Sequence, residues 1–135
     1  ACYQFQFNKK NSDELLFMSS TEIFRYDYLD ESKDKGEFYT FQNRLEYTPQ
    51  LLSFSPDQNQ CIVASNSEAI YVDINNYQEV DLDEMEELES IQNCTCDGKY
   101  FYLMANKKER KLGYYILRLS LEKPGDIDYL MQWNN

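Results

Sequence analysis

Apolar and polar residues alternate along most of the chain, which is the period-two pattern of half-buried β-strands. The alternation is strictest over residues 3–7, where aromatic residues flank two glutamines. Further short runs rich in aromatic, leucine and β-branched residues follow, separated by polar turns: residues 15–18, 23–26, 38–41, 51–54, 61–64, 69–72, 90–94, 100–104, 114–119 and 127–133. Because these runs are short and lack a helical period, we predict an all-β protein.

The runs group into three similar sets, each with a polar turn after its first strand. The turn residues Asp57 and Asp97 are 40 residues apart, and Asn8 and Pro56 are 48 apart. Repeats of this length, holding three or four short strands each, are typical of β-propeller blades. A β-sandwich or barrel is the alternative all-β architecture. We predict three four-stranded antiparallel blades over residues 1–46, 47–88 and 89–135.

The residues of these turns have conformational roles that can be stated in advance. Pro56 fixes its φ near about −65°, which suits the second position of a β-turn. The short side chains of Asp57 and Asp97 can accept hydrogen bonds from nearby backbone N–H groups. Gly98 tolerates a positive φ where the chain reverses. We expect these residues to form tight turns between the first two strands of their blades.

The same positions resemble those of the WD40-type β-propeller family. Residues 54–57 (Phe-Ser-Pro-Asp) and 96–99 (Cys-Asp-Gly-Lys) are similar to that family's Phe-Ser-Pro-Asp-Gly turn. The pairs Tyr26-Asp27 and Val72-Asp73 lie where the family often has Trp-Asp. The resemblance implies a rigid, non-catalytic platform that binds other proteins through its loops and rim.

Three blades are fewer than the roughly four to eight that close a propeller. An isolated set of three would leave sheet edges and inner strands open to association. We therefore expect the remaining blades to come from a longer parent chain, from a partner or from a second copy. The run at residues 127–133 is predicted to be either the outer strand of the third blade or the first strand of a fourth.

Charge narrows the range of partners. The 135 residues contain 13 Lys and Arg against 24 Asp and Glu, a formal net charge of −11, and no histidine. This charge repels phosphate, so we expect neither nucleic acid nor an anionic membrane as the main partner. No apolar run approaches the roughly 20 residues of a membrane span, and no signal or transit segment is recognisable. The start at Ala1 indicates either cleavage or a longer chain.

The acidic segment, residues 81–89, is the most conspicuous local feature. Leu82, Met85 and Leu88 recur every three residues within it, so a short amphipathic helical turn could anchor them and present a negative face. One interpretation is a docking surface for a basic protein, and the other is a solvated loop that keeps the protein soluble. Its candidate partner-binding residues are Asp81, Asp83, Glu84, Glu86, Glu87 and Glu89.

The basic segment, residues 107–111, lies between two predicted strands of the third blade. It could contact phosphate or an acidic partner, or its charges could discourage pairing at a sheet edge. Contact between the acidic segment of one copy and the basic segment of another would give self-association that weakens with salt. Its candidate residues are Lys107, Lys108, Arg110 and Lys111.

The four cysteines allow two interpretations of compartment. Their low density favours reduced thiols and a cytoplasmic protein. In the alternative, Cys2, Cys61, Cys94 and Cys96 form disulfides and Asn93, in the motif Asn-Cys-Thr, carries a glycan. That chain would be a secreted all-β module that binds a ligand or a receptor.

The sequence shows no pattern of catalytic or cofactor-binding residues. Without histidine, a nucleophile lacks its commonest base and zinc lacks a ligand set. Residues 30–37 supply oxygen ligands for calcium, but Gly36 and Phe41 occupy the wrong loop positions. The four glycines stand alone, so no phosphate-binding loop is present. We predict a non-enzymatic protein without a metal or cofactor.

The aromatic residues also have two interpretations. At period-two spacing they suit the core between blades, and the alternative is a surface platform for stacking. The residues concerned are Phe7, Phe17, Phe54, Tyr100, Tyr102 and Tyr115.

Overall fold

The computed structural model describes residues 4–30, 32–65, 68–82, 88–107 and 113–134. This part of the chain contains strands and turns and no helix. The strands are β1 (Gln6–Asn8), β2 (Asn11–Met18), β3 (Glu22–Asp27), β4 (Gly36–Thr40), β5 (Leu51–Phe54), β6 (Gln60–Ala64), β7 (Ala69–Asp73), β8 (Gln78–Asp81), β9 (Leu88–Cys96), β10 (Tyr100–Lys107), β11 (Gly113–Ser120) and β12 (Ile127–Asn134).

The strands form three antiparallel sheets of four, each in chain order: β1-β2-β3-β4, β5-β6-β7-β8 and β9-β10-β11-β12. The all-β prediction is confirmed, and the sheets have the organisation of propeller blades. Strand β12 pairs with β11 through Leu119↔Ile127 and Tyr114↔Trp133. It is therefore the outer strand of the third sheet and does not begin a fourth.

Three equivalent hydrogen bonds identify the same position in every sheet. In each sheet the residue after the third strand donates its backbone N–H to a carbonyl near the start of the second strand, which belongs to the third residue of β2 and to the residue just before β6 and β10. These donor and acceptor pairs are Tyr28 and Asp13 at 3.2 Å, Ile74 and Asn59 at 2.9 Å, and Leu121 and Lys99 at 3.0 Å. The three sheets are thus copies of one structural repeat.

The turns between the first and second strands also repeat. Asn11, Asp57 and Asp97 each accept a hydrogen bond through Oδ1 from the backbone N–H two residues later, at 3.2, 3.0 and 2.9 Å. Gly98 has a φ of 95°. The predicted roles of Asp57, Asp97 and Gly98 are confirmed. The structural equivalent of Asp57 in the first sheet is Asn11, two residues before Asp13, whereas the sequence spacing matched Asn8 with Pro56.

The Tyr-Asp and Val-Asp pairs lie at the ends of the third strands. Asp27 accepts a hydrogen bond from the Leu29 N–H at 3.0 Å, and Asp73 accepts one from the Asn76 N–H at 3.3 Å. Both carboxylates therefore hold the turn that leads to the fourth strand.

The core consists of two apolar interfaces, one on each side of the second sheet. The first interface joins the first and second sheets and includes Leu16, Ile23, Tyr39, Phe54, Cys61, Val63, Ile70 and Val72. The second interface joins the second and third sheets and includes Leu51, Ile62, Ala64, Tyr71, Leu82, Phe101, Leu103, Leu117 and Leu119.

The second sheet is the centre of the molecule because it is covered on both faces. Residues 61–64 of β6 and 69–72 of β7 are all buried. A strand that is buried on both faces carries a continuous apolar run, whereas a strand covered on one face alternates. The sequence of β6, with four consecutive apolar residues after Gln60, has this property.

The aromatic residues divide between core and surface. Phe54 is buried in the first interface and Tyr115 packs against the second, as predicted for the core. The core prediction is wrong for Phe7, which is 61% exposed. Phe7 lies on the outer face of the first sheet, where no other described sheet covers it and the Tyr28 ring lies edge-on to it, with the ring centres 6.1 Å apart. The core prediction is also wrong for Phe17, Tyr100 and Tyr102, which lie on the outer faces of the first and third sheets and belong to neither interface.

The cysteines that the structure describes are free thiols. Cys61 is completely buried in the first interface, while Cys94 and Cys96 share one face of β9 and pack against the second. Burial raises the pKa of Cys61 and raises that of Cys94 to about 12, so few thiolates form near neutral pH.

We predict that alkylation at pH 8 modifies Cys96 much faster than Cys61. Cys96 is half-buried, whereas Cys61 has no exposed surface and reacts only when the first interface opens. Peptide mapping by mass spectrometry after timed quenching measures both rates, and the denatured protein is the control for intrinsic reactivity. Equal rates in the native protein would contradict the burial of Cys61.

We also predict that Ile62→Ala lowers the free energy of unfolding by about 2–5 kcal/mol, because the substitution leaves a cavity in the second interface. Urea denaturation measures the change. Leu29→Ala, at a site that is 67% exposed, is the control and should change stability by less than about 0.5 kcal/mol. A similar small effect for Ile62→Ala would show that the second sheet is not packed on both sides.

Candidate interaction surfaces

The acidic segment connects the outer strand of the second sheet to the inner strand of the third. Asp81 ends β8 and is exposed, and the neighbouring Leu82 is 2% exposed and belongs to the second interface. Glu89 lies in β9. The other predicted residues of this segment, Asp83, Glu84, Glu86 and Glu87, lie outside the described residues, as does Met85.

The basic segment connects two paired strands of the third sheet. Lys107 ends β10, and β10 pairs with β11 up to Asn106↔Tyr114. The segment therefore joins neighbouring strands of one hairpin, as the sequence predicted. Lys108, Arg110 and Lys111 lie outside the described residues.

The described ends of the two segments lie opposite each other at one end of the third sheet. Lys107, the first residue of the basic segment, lies in β10 and pairs with Leu88 of β9. Leu88 is the second-last residue of the acidic segment. The sequence separates the segments by about 20 positions, and antiparallel pairing removes that separation. This proximity could not be derived from charge pattern alone, because it depends on the strand register.

Two carboxylates of the second sheet and its connections have a structural role. Glu79 accepts hydrogen bonds from the Tyr39 hydroxyl at 2.6 Å and the Gln42 backbone N–H at 2.7 Å. Glu68 accepts a bond from the Glu46 backbone N–H at 2.6 Å. These side chains hold the connection between the first two sheets against β7 and β8, around a cleft of 140 Å³.

Glutamine side chains join the inner strands. Gln4 accepts a hydrogen bond from the Leu52 N–H, and Gln6 donates one to the Leu52 carbonyl, both at 2.9 Å. Gln58 donates to the Phe7 carbonyl at 2.9 Å and accepts from the Lys9 N–H at 2.6 Å. Sequence reasoning missed these residues, since a glutamine in an alternating strand has the same pattern as any solvent-facing residue.

Around these glutamines is an open cleft of 410 Å³. It is lined by Gln4, Phe5, Gln6, Leu52, Ser53 and Cys94. The Ser53 hydroxyl donates to the Cys94 carbonyl at 3.3 Å, which connects the inner strands of the second and third sheets. The polar groups of the cleft thus bind backbone atoms across the joints between sheets.

Among the described residues, no group of three or more His, Cys, Asp or Glu side chains is arranged to hold a metal ion. The helix-free described part also offers no long apolar helix that could cross a membrane.

Comparisons with known proteins give the fold and no family. No protein-family model matches the chain, and no curated protein sequence matches it either. The N-terminal domain of Nup159, a β-propeller, aligns with 98% of this chain and 30% of its own length, with a TM-score of 0.55 and 10% identity. The WD40 protein U3-55K aligns with 97% of this chain and 38% of its own length, with a TM-score of 0.62 and 4% identity.

An enzyme is also among the similar structures. Dihydro-heme d1 dehydrogenase NirN, again a propeller, aligns with 96% of this chain and 28% of its own, with a TM-score of 0.57 and 12% identity. The chain therefore spans about a third of the length of each of these three propellers. At such low identity the likeness shows the fold alone.

A buried tyrosine gives the second interface a measurable pH dependence. Tyr71 is 3% exposed, and burial raises its pKa from 10.0 to about 12, although a hydrogen bond from Gln60 to its hydroxyl opposes the shift. The folded protein therefore keeps a proton that the unfolded chain loses above pH 10. This contribution to stability is complete below pH 10 and declines as the pH rises toward 12.

We predict that the stability advantage of the wild type over Tyr71→Phe shrinks between pH 10 and 12, by up to about 1.4 kcal/mol per pH unit. Urea denaturation at pH 8, 10 and 11 measures this difference. Tyr47→Phe, at a 54% exposed site, is the matched control. A constant difference between wild type and Tyr71→Phe across this range would show that Tyr71 ionises as it does in the unfolded chain.

Proposed function

We propose that this chain is a non-catalytic protein-interaction scaffold, built on a WD40-like β-propeller and belonging to a larger chain or assembly. The observation that carries the proposal is the pairing of Lys107 with Leu88, which brings the ends of the acidic and basic segments together on a rigid sheet. Two surfaces of opposite charge at one end of a blade suit the recognition of a protein that is itself polarised.

The rigidity of the platform supports a binding role. Apolar interfaces on both faces of the second sheet fix the three blades, and side chains bridge the joints at the inner and outer edges. A preorganised surface loses little conformational entropy on binding, which favours affinity.

The described chemistry favours binding over catalysis. Burial disfavours the thiolate form of Cys61 and Cys94, and so makes them poor nucleophiles. The carboxylates of Glu68 and Glu79 are engaged by backbone groups. Because one similar propeller is a dehydrogenase, the proposal rests on these groups and not on the fold.

We place the partner contacts on the two charged segments. The acidic segment would meet a basic protein surface through Asp81, Asp83, Glu84, Glu86, Glu87 and Glu89. The basic segment would add contacts to acidic groups through Lys107, Lys108, Arg110 and Lys111. Charges at the rim of an interface mainly raise the association rate and fix the orientation of the partner. We place the protein in the cytoplasm, where the described cysteines would remain reduced.

The triple variant Glu84→Gln, Glu86→Gln, Glu87→Gln tests the acidic segment. We expect association with an immobilised decalysine peptide to slow about tenfold or more at low salt, since three attractive charges are lost, while the melting temperature stays nearly the same. Surface plasmon resonance gives the association rate and differential scanning fluorimetry gives the melting temperature.

The matched control removes three negative charges from exposed sites elsewhere: Asp34→Asn, Glu37→Gln and Asp126→Asn. This variant has the same net charge as the test variant, so it isolates position from total charge. Equal slowing in both variants would show that decalysine responds only to overall charge. A large fall in melting temperature for the test variant alone would show that the segment is structural.

A further inference from the structure

The outer face of the first sheet carries large apolar side chains of the kind found between the sheets. Phe7 and Leu15 are paired across β1 and β2, and Phe17 and Phe24 across β2 and β3. Tyr26 continues the same face opposite Leu15. The Phe17 and Phe24 rings stack with their centres 5.3 Å apart. Five large apolar residues thus form one continuous surface.

The matching positions of the second sheet are buried. The repeat equates Phe7, Leu15, Phe17, Phe24 and Tyr26 with Phe54, Cys61, Val63, Ile70 and Val72, which have the same cross-strand pairs. All five residues of the second sheet lie in the first interface and are at most 9% exposed. The outer face of the first sheet is therefore equivalent to the face of the second sheet that packs on the first sheet.

The outer face of the third sheet corresponds to the other side of the repeated contact between neighbouring sheets. Met104 pairs with Ile116, and Ile116 pairs with Met131, which is 57% exposed. The repeat equates Met104 and Ile116 with Ala64 and Ala69, buried in the second interface, and with Met18 and Ile23, buried in the first. The outer face of the third sheet is thus equivalent to the faces by which the first and second sheets pack on the sheet that follows each of them.

The charged pair on this face, Arg118 and Asp128, is compatible with docking. Arg118 lies over the Tyr100 ring at 4.3 Å and pairs with Asp128 at 3.2 Å. Its equivalent in the first sheet, Arg25, belongs to a face that is already packed on the second sheet, yet its side chain is 51% exposed. The second-sheet equivalent, Tyr71, is 3% exposed in the second interface, so this position contributes to the contact while an arginine there keeps half of its side chain exposed.

We infer that the outer face of the first sheet binds the outer face of the third sheet of a second copy, and the reverse, in a closed head-to-tail dimer. The two outer faces continue the interfaces within the chain, since each is equivalent to one side of the contact between neighbouring sheets. A second copy of the chain supplies the matching side for both faces. Two copies of three blades give six, within the roughly four to eight blades of closed propellers. The inference specifies the assembly in the proposed function and rests on it.

The solution mass of the chain is the first test. We expect twice 16.2 kDa by light scattering at about 50 µM, unchanged between 0.05 and 1 M NaCl, because the contact is apolar. A monomer at this concentration would overturn the inference. So would a dimer that dissociates at 1 M NaCl, since it would indicate pairing of the acidic and basic segments.

Two exposed residues allow the faces to be tested separately without touching the core. Phe7→Glu places a charge on the first outer face. Asn93→Arg does so on the third, since exposed Asn93 pairs with Met104 and is equivalent to buried Leu51. Each variant alone should raise the dimer dissociation constant at least about tenfold. An equimolar mixture should restore a 1:1 heterodimer, because one interface remains intact.

The mixture distinguishes head-to-tail docking from the symmetric alternatives. If two first sheets paired, Asn93→Arg would stay dimeric; if two third sheets paired, Phe7→Glu would. Either result would overturn the inference. Tyr47→Glu, an exposed site in the connection between the first two sheets, is the control and should stay dimeric. Failure of this dimer leaves decalysine binding by the acidic segment measurable on the monomer, so the two proposals fail independently.

Discussion

The fold depends on the burial of the second sheet on both faces. Its central strands β6 and β7 contribute to the first and second interfaces at alternate positions, so one small sheet holds the other two in place. Apolar burial is the main favourable term in folding, and here it also fixes the relative arrangement of the three repeats. Every surface considered for binding is positioned by these two interfaces.

Hydrogen bonds from polar side chains fix the register of sheets that the apolar interfaces hold together. Gln4, Gln6 and Gln58 bind backbone groups across the inner edge of the first joint, while the Tyr39 hydroxyl and Glu79 carboxylate join its outer edge at 2.6 Å. Buried or half-buried polar groups need such partners, and here the partners belong to neighbouring sheets. The joint between two blades therefore has a defined register as well as an apolar core.

The repeat relates the internal architecture to both proposals. One structural unit occurs three times, with the same turn after its first strand and the same hydrogen bond after its third. The outer faces of the first and third sheets are equivalent to faces that are buried between sheets elsewhere in the chain. The connections at one end of the third sheet carry opposite charges, through the acidic and basic segments. The proposed assembly would use the faces of the sheets, and the proposed recognition would use the acidic and basic segments.

Local pattern determined the strands, the three repeats and the turns at Asp57 and Asp97, because period-two burial and turn geometry depend on neighbouring residues. It also showed the continuous apolar run at residues 61–64 of β6. Tertiary structure alone decided that Phe7 is exposed while the equivalent Phe54 is buried, because the two have similar sequence surroundings and differ only in whether a sheet lies opposite. Strand register likewise decided that Lys107 pairs with Leu88. Solvent exposure and proximity between distant residues depend on the packing of sheets, which no local stretch of the chain encodes.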